Sequence, residues 1–144
     1  LSFEKNLIGL QISMEEAFID LGRRYPEPSI VLCDRGTMDP SAYVDGAMWQ
    51  SILDLEGWSE GTLCHERYDA VIHLVTAAIG AEEFYTTENN EVRNETPEQA
   101  AELDRRVGEA WAHHGRRFMI DNSTDFERKI GRVITVIESV IDAS

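Results

Sequence analysis

Basic residues are scarce in this chain of 144 residues: 13 Lys and Arg stand against 27 Asp and Glu, a formal net charge of −14. A field of that sign repels nucleic acid and anionic membrane surfaces unless a local basic patch intervenes. No Lys/Arg cluster larger than a pair occurs, and an acidic solubilising surface accounts for the imbalance. Long apolar runs are missing as well. None approaches the ~20 residues a bilayer-crossing helix needs, and Glu4 and Lys5 lie where a cleavable secretion signal would be apolar. The expectation is a soluble, cytoplasmic protein without nucleic-acid partners or direct membrane insertion. The two cysteines, Cys33 and Cys64, form no C-x-x-C pair, so reduced structural thiols are expected. No set of ligands at metal-site spacing appears, and neither do internal repeats or a Pro- or Gly-rich linker, so residues 1–144 read as a single domain. Also absent is any G-x-x-x-x-G-K-[ST] loop, the backbone cradle that grips a nucleoside triphosphate.

What is present alternates helix and strand. From Phe3 to about Arg24, Leu7, Leu10, Met14, Ala17, Phe18 and Leu21 recur at three- and four-residue spacing, one stripe of an amphipathic helix that Gly22 and Pro26 end. Ile30 to Cys33 is a short apolar run and predicts a buried strand. Asp39-Pro40 reads as an N-cap with proline at the first helical position, opening a helical region around Met48, Trp49, Ile52 and Leu53. Ala70 to Val75, rich in β-branched residues, predicts a second strand. Ala77 to Asn94 reads as a short helix running into a mobile loop.

Thr96-Pro97-Glu98-Gln99 is a capping box, with Ala100, Leu103, Val107, Ala110 and Trp111 at helical spacing behind it. Phe118 to Ile120 predicts a third strand. Thr124 and Glu127 suggest a further capping box, for a helix bearing Phe126, Ile130, Val133, Ile134, Ile137, Val140 and Ile141. Such alternation predicts an α/β fold, a three-layer arrangement with a parallel sheet between helices.

Ligands of open parallel sheets bind beyond the carboxyl ends of the strands, which here present Asp34-Arg35-Gly36, Thr76-Ala77 and Asp121-Asn122-Ser123. Asp34 has the chemistry to hold Mg²⁺ through a water or to accept a proton from an attacking hydroxyl, and Arg35 to neutralise a phosphate; the alternative is that the two simply pair with each other. Arg93 stands alone among eight acids between Ala81 and Asp104, either as a guanidinium on a closing lid or as a surface residue paired with neighbouring Glu. Arg105 and Arg106 reach the same site or pair with Glu102 and Glu109. His73, inside an apolar run, reads as a satisfied core residue, and His113-His114 as a complement to a helix dipole. Tyr85, Trp49 and Trp111 serve the core or stack a base.

The set Ile30 to Asp39, Arg67 to Val75, Phe84-Tyr85, Asn89-Asn90, Arg93, Leu103-Asp104, Ala110-Trp111 and Ile120 to Asn122 resembles the AAA-domain P-loop nucleotide-binding proteins, a group that includes the translocation-defect GTP-binding proteins and is similar to the nicotinamide-riboside-kinase group. The resemblance runs from about Phe3 to Ile141. It implies a kinase-like P-loop NTPase fold, ATP or GTP as a purine-nucleotide ligand with Mg²⁺, Asp34 as metal ligand or catalytic acid, Arg35 and Arg93 as catalytic groups with Arg93 in a lid, and Gly36, Asp121 and Asn122 beside the nucleotide.

The family's first strand and its phosphate loop would precede Phe3. In that fold the strand lies mid-sheet, between the strands that correspond here to Ser29–Cys33 and Ala70–Val75, and without it two backbone edges go unpaired. The 144 residues are therefore expected to be the carboxyl-terminal portion of a larger domain, or to be completed by a second chain or a rearranged strand, and to be inactive alone. The competing expectation is a non-catalytic acidic protein-interaction domain that keeps the fold.

Overall fold

The computed structural model describes residues 2–84 and 95–143. Helix α1 spans Ser2–Gly22, α2 Gly46–Glu56, α3 Pro97–Ala110 and α4 Phe126–Ile141; strand β1 is Val71–Leu74 and β2 Arg117–Ile120. A 3₁₀ turn at Asp39–Tyr43 and a π turn at Thr62–Glu66 complete the first half. The strands run parallel, with Val71 opposite Arg117 and Leu74 opposite Ile120, joined by the α3 crossover. A crossover helix is what parallel neighbours require, so the β1–α3–β2 unit is the α/β element of the fold.

Local signals explain most helix boundaries. The Thr96 capping box forms as the sequence predicts: its hydroxyl accepts from Gln99 N and the Gln99 side chain accepts from Thr96 N at 2.8 Å. Helix α2 is capped by Asp45, which accepts from Met48 N at 2.8 Å, and closed by Gly57 in the left-handed region. Asp39-Pro40 therefore opens only the 3₁₀ turn, because the Asp39 carboxylate is engaged elsewhere. For α4 the cap is Asp125, accepting from Arg128 N at 2.8 Å. Thr124 and Asp125 are both capping residues, and the one whose oxygen meets the third helical N–H prevails.

The core joins Ile8 of α1, Met38, Trp49, Ile52 and Leu53 of α2, Leu63, Cys64 and Trp111 at the end of α3. Helix α1 turns Ile8, Ile12 and Glu15 inward, while the anticipated stripe of Leu7, Leu10, Met14, Phe18 and Leu21 is exposed among the described residues. Periodicity detected an apolar face; a buried polar network on the adjoining face decides which one packs.

Ser29–Cys33 differs from expectation most. It joins no ladder among the described residues, and the sheet they form has two strands. Ile30 and Leu32 are exposed, and Val31 and Cys33 line one cavity together with Ala70 to Leu74 instead of bonding to them. An extended segment becomes a strand only where its N–H and C=O groups meet a partner edge. No helix among the described residues is long and apolar enough to cross a membrane.

Candidate functional site: the Asp34–Asp39 turn and its cavity

The turn after Cys33 is held from four sides. Gln11 of α1 donates through Nε2 to the Arg35 carbonyl at 2.9 Å. Thr37, fully buried, donates its backbone N–H to the Tyr68 hydroxyl oxygen at 2.9 Å and its own hydroxyl to the Leu63 carbonyl at 2.8 Å. A Cβ added to Gly36 would run into the Trp111 indole, so only glycine permits this approach. The Trp111 indole N–H donates to Asp39 Oδ1 at 2.6 Å, and Asp39 Oδ2 lies 3.4 Å from Arg35 Nη1.

Between these restraints Arg35 sits at φ +77°, the one non-glycine residue with positive φ among those described. An L-residue there costs of order 1 kcal/mol, and such outliers persist where surroundings over-determine them.

Behind the turn lies a buried ionic network. The Tyr68 hydroxyl donates to Glu15 Oε1 at 2.7 Å, and the Arg67 guanidinium donates to Glu15 Oε2 through Nη2 at 2.9 Å and Nε at 3.1 Å. Burial, opposed in part by bonding to Thr37, pushes the Tyr68 phenol well above its ordinary pKa, so it stays protonated and able to donate. The Tyr68 ring meets Trp111 edge to face at 5.3 Å.

A cavity of about 550 Å³ opens beside the turn, lined by Val31 to Gly36 and Asp39 on one side of the sequence and by Ala70 to Leu74, Thr76, Asp104 and Trp111 on the other. Asp34 is exposed and makes no hydrogen bond or ion pair among the described residues. It does not pair with Arg35, whose partner is Asp39. The expected couple thus separates into a free carboxylate and a braced guanidinium that is 62 % exposed.

Asp104, which the residue pattern marks only as one acid among many, accepts the Thr76 backbone N–H at 2.8 Å and lies 3.1 Å from His73 Nε2. It fixes the exit of β1, and His73 is the satisfied core residue its apolar setting suggests. Its signals in the sequence are its place, with Leu103, among the residues that carry the family resemblance and its spacing of one turn from Ala100.

Asp121 and Asn122 do not line this cavity. Asp121 accepts from the Ser123 hydroxyl at 2.6 Å and from Arg132 Nη2 at 2.8 Å, which together hold its carboxyl down to about 2. The Asn122 amide donates to the Thr76 and Ile79 carbonyls at 2.8 and 2.7 Å, and its oxygen accepts from Lys129 Nζ at 2.7 Å. Lys129 also reaches the Val75 carbonyl at 2.7 Å, and burial lowers its pKa. This cluster ties β2 to the carboxyl end of β1, next to Thr76 on the cavity wall. Arg105 pairs with Glu102 and Glu109 on its own helix, and Arg106 donates to the Val44 carbonyl. Arg93, Tyr85, Asn89 and Asn90 lie outside the described residues.

No group of three or more His, Cys, Asp or Glu side chains among the described residues forms a metal cage. Asp34, a single free carboxylate on a cavity wall, nonetheless fits Mg²⁺, which keeps most of its waters and takes one or two carboxylates plus phosphate oxygens.

A family model described as an AAA domain matches residues 1–129. The chain belongs to the AAA-domain family. Its class is that of P-loop nucleotide-binding proteins, and the matched residues include the strained turn, both strands, α3 and the start of α4. No curated protein and no solved structure matches the chain. In this AAA domain a free carboxylate, a braced guanidinium and the exit of a parallel strand border one cavity.

Proposed function

We propose that the chain supplies one wall of a purine-nucleotide site, for ATP or GTP with Mg²⁺, in a kinase-like three-layer P-loop domain. The observation that carries this reading is Asp34, a carboxylate without a partner among the described residues, on a turn that distant residues hold in a strained conformation. Bound Mg²⁺ supplies neutralisation of phosphate charge. Asp34 would hold it through water, or take the proton of an attacking hydroxyl. Arg35 presents a guanidinium to phosphate, Gly36 lets the turn pass close to the Trp111 ring, and the family resemblance adds Arg93, which lies outside the described residues, to the phosphate side of the site. Asp121 and Asn122 act from outside the cavity, where the Asn122 amide holds the Thr76 carbonyl at the exit of β1.

The cavity between Val31–Gly36 and Ala70–Leu74 has the place a middle strand would take. We read its occupant as a strand carrying a G-x-x-x-x-G-K-[ST] loop, from a segment ahead of Leu1 or from a second chain. The exposed faces of α1 and of Ile30 and Leu32 support this, since they offer apolar surface to the helix that follows such a loop. Without that loop no group cradles the phosphates, and the chain by itself turns over no nucleotide.

Thermal denaturation with Mg-ATP and Mg-GTP tests the proposal, with and without an added polypeptide of strand, phosphate loop and helix. Nucleotide should raise the melting temperature only when that polypeptide is present. No rise in either case would leave the alternative, an acidic protein-interaction domain of the same fold using its exposed helix faces.

A further inference from the structure

Arg35 is conformationally strained, yet nothing in its own side chain requires the left-handed region: its guanidinium is largely exposed and its contact with Asp39 is long at 3.4 Å. The constraint comes from residues far away in sequence. Gln11 takes the Arg35 carbonyl, Tyr68 takes the Thr37 N–H, and Trp111 closes over Gly36 while holding Asp39. Each anchors a different atom within five residues of chain, and each belongs to a different element.

Two of these anchors are themselves anchored. Tyr68 is oriented by Glu15, whose other oxygen is fixed by Arg67: Glu15 Oε1 at 2.7 Å is the nearer acceptor for the hydroxyl proton, ahead of Thr37 Oγ1 at 3.2 Å, and the hydroxyl oxygen accepts from the Thr37 N–H. Trp111 is oriented by Asp39 and by the edge of the Tyr68 ring.

We propose that Tyr68, oriented by Glu15, and Trp111, bonded to Asp39, are positioning residues that clamp Arg35 at positive φ and so set the direction in which Asp34 and Arg35 face the cavity. The clamp rests on the nucleotide-site reading for what the two groups meet there, though its geometry stands without any ligand. It makes the pair preorganised: Asp34 and Arg35 need no rearrangement to receive a phosphate and its cation.

The test reads backbone geometry in the ligand-free 144-residue chain. A strong intraresidue HN–Hα cross-peak marks positive φ, and Arg35 should show one. Tyr68→Phe removes the oxygen that accepts from Thr37, and Trp111→Phe removes the N–H that holds Asp39 while keeping a ring. In both, the Arg35 cross-peak should be lost while the amide exchange protection of β1 and β2 persists. A purely packing role for these rings would leave that cross-peak unchanged.

Arg35→Gly supplies the second arm, because glycine enters the left-handed region without strain. It should raise the melting temperature of the parent chain by about 2 to 4 °C and give no gain in the Tyr68→Phe background. Should either ring variant fail to fold, Gln11→Ala, which removes the donor to the Arg35 carbonyl from a half-buried position of α1, replaces it with the same expectation. An intact Arg35 cross-peak in folded variants, or an equal Arg35→Gly gain in both backgrounds, overturns the clamp. Since nucleotide is absent throughout, a clamp that holds in a chain that Mg-ATP and Mg-GTP fail to stabilise even with the phosphate-loop polypeptide present would condemn the nucleotide reading alone.

Discussion

Trp111 and Gly36 are in a contact that tolerates no side chain: the indole covers the glycine Cα, and the same ring donates its N–H to Asp39 three residues on. Packing and hydrogen bonding thus fix one turn from one residue. Gly36→Ala forces the ring or the backbone to move and should cost about 1–3 kcal/mol in urea denaturation. Gly131→Ala is the contrast. Its Cβ meets nothing within 4 Å in the middle of α4, and the change should stabilise by about 0.5–1 kcal/mol.

Glu15 is the buried hub between α1 and the segment leading into β1. Glu15→Ala would leave the Arg67 guanidinium, 14 % exposed, with long contacts to Glu16 at 3.4 Å and to the Ile12 carbonyl at 3.5 Å. Breaking one side of a buried pair costs about 3–5 kcal/mol, and the Tyr68 hydroxyl loses its acceptor as well. Chemical denaturation of Glu15→Ala beside the double variant Glu15→Ala/Arg67→Met tests this: the single variant should be the less stable, since it strands the Arg67 charge that the double variant removes.

How far the residue pattern reaches can be judged from these same residues. The Thr96 capping box and the apolar run of β1 are local signals, contained within a few positions, and each appears in the structure where the pattern puts it, whereas the left-handed residue of the turn after Asp34 is Arg35 and not Gly36. Trp111 and Asp39 are 72 residues apart, and Tyr68 and Glu15 are 53 apart. Periodicity has no access to such pairs. It marks Trp111 as a helix-face aromatic, and it selects the larger apolar stripe of α1 over the face that carries Glu15. Ser29–Cys33 shows the complementary limit, because a strand is a property of two edges and composition describes only one. Asp34 stands out in the sequence by its place at the end of an apolar run, and the structure puts it on a cavity wall, whereas the role of Asp104 at the exit of β1 depends on a hydrogen bond to Thr76 across 28 positions.

Acid titration should report the link between Asp121 and Arg132. The folded carboxyl is lowered from 3.8 to about 2, by the Ser123 hydroxyl first and by Arg132 next. Above its unfolded pKa the group is charged in both states and its bonds contribute fully. As pH falls from near 4 toward 2 the unfolded form takes up a proton that the folded form resists, and that contribution is lost. Stability followed across this window should drop more steeply for the parent than for Asp121→Asn. A side-chain NMR titration should place the carboxyl midpoint near 2, and a midpoint near 4 would mean the Ser123 and Arg132 bonds do not persist in solution.

Asp34→Asn separates chemistry from folding most cleanly, because the carboxylate it removes has no partner among the described residues. An exposed, unbonded acid contributes little to stability, so the variant should unfold within about 0.5 kcal/mol of the parent. In the presence of a phosphate-loop polypeptide it should nonetheless lose the stabilisation conferred by Mg-ATP or Mg-GTP, since a neutral amide binds a hydrated cation far more weakly than a carboxylate does. A parallel titration without Mg²⁺ sharpens the result: if Asp34 acts through the cation, parent and variant should then behave alike. Full retention of the Mg²⁺-dependent shift in Asp34→Asn would remove this residue from the metal-linked role and move attention to Asp104, another carboxylate on the cavity wall, whose oxygens are already engaged by Thr76 and His73.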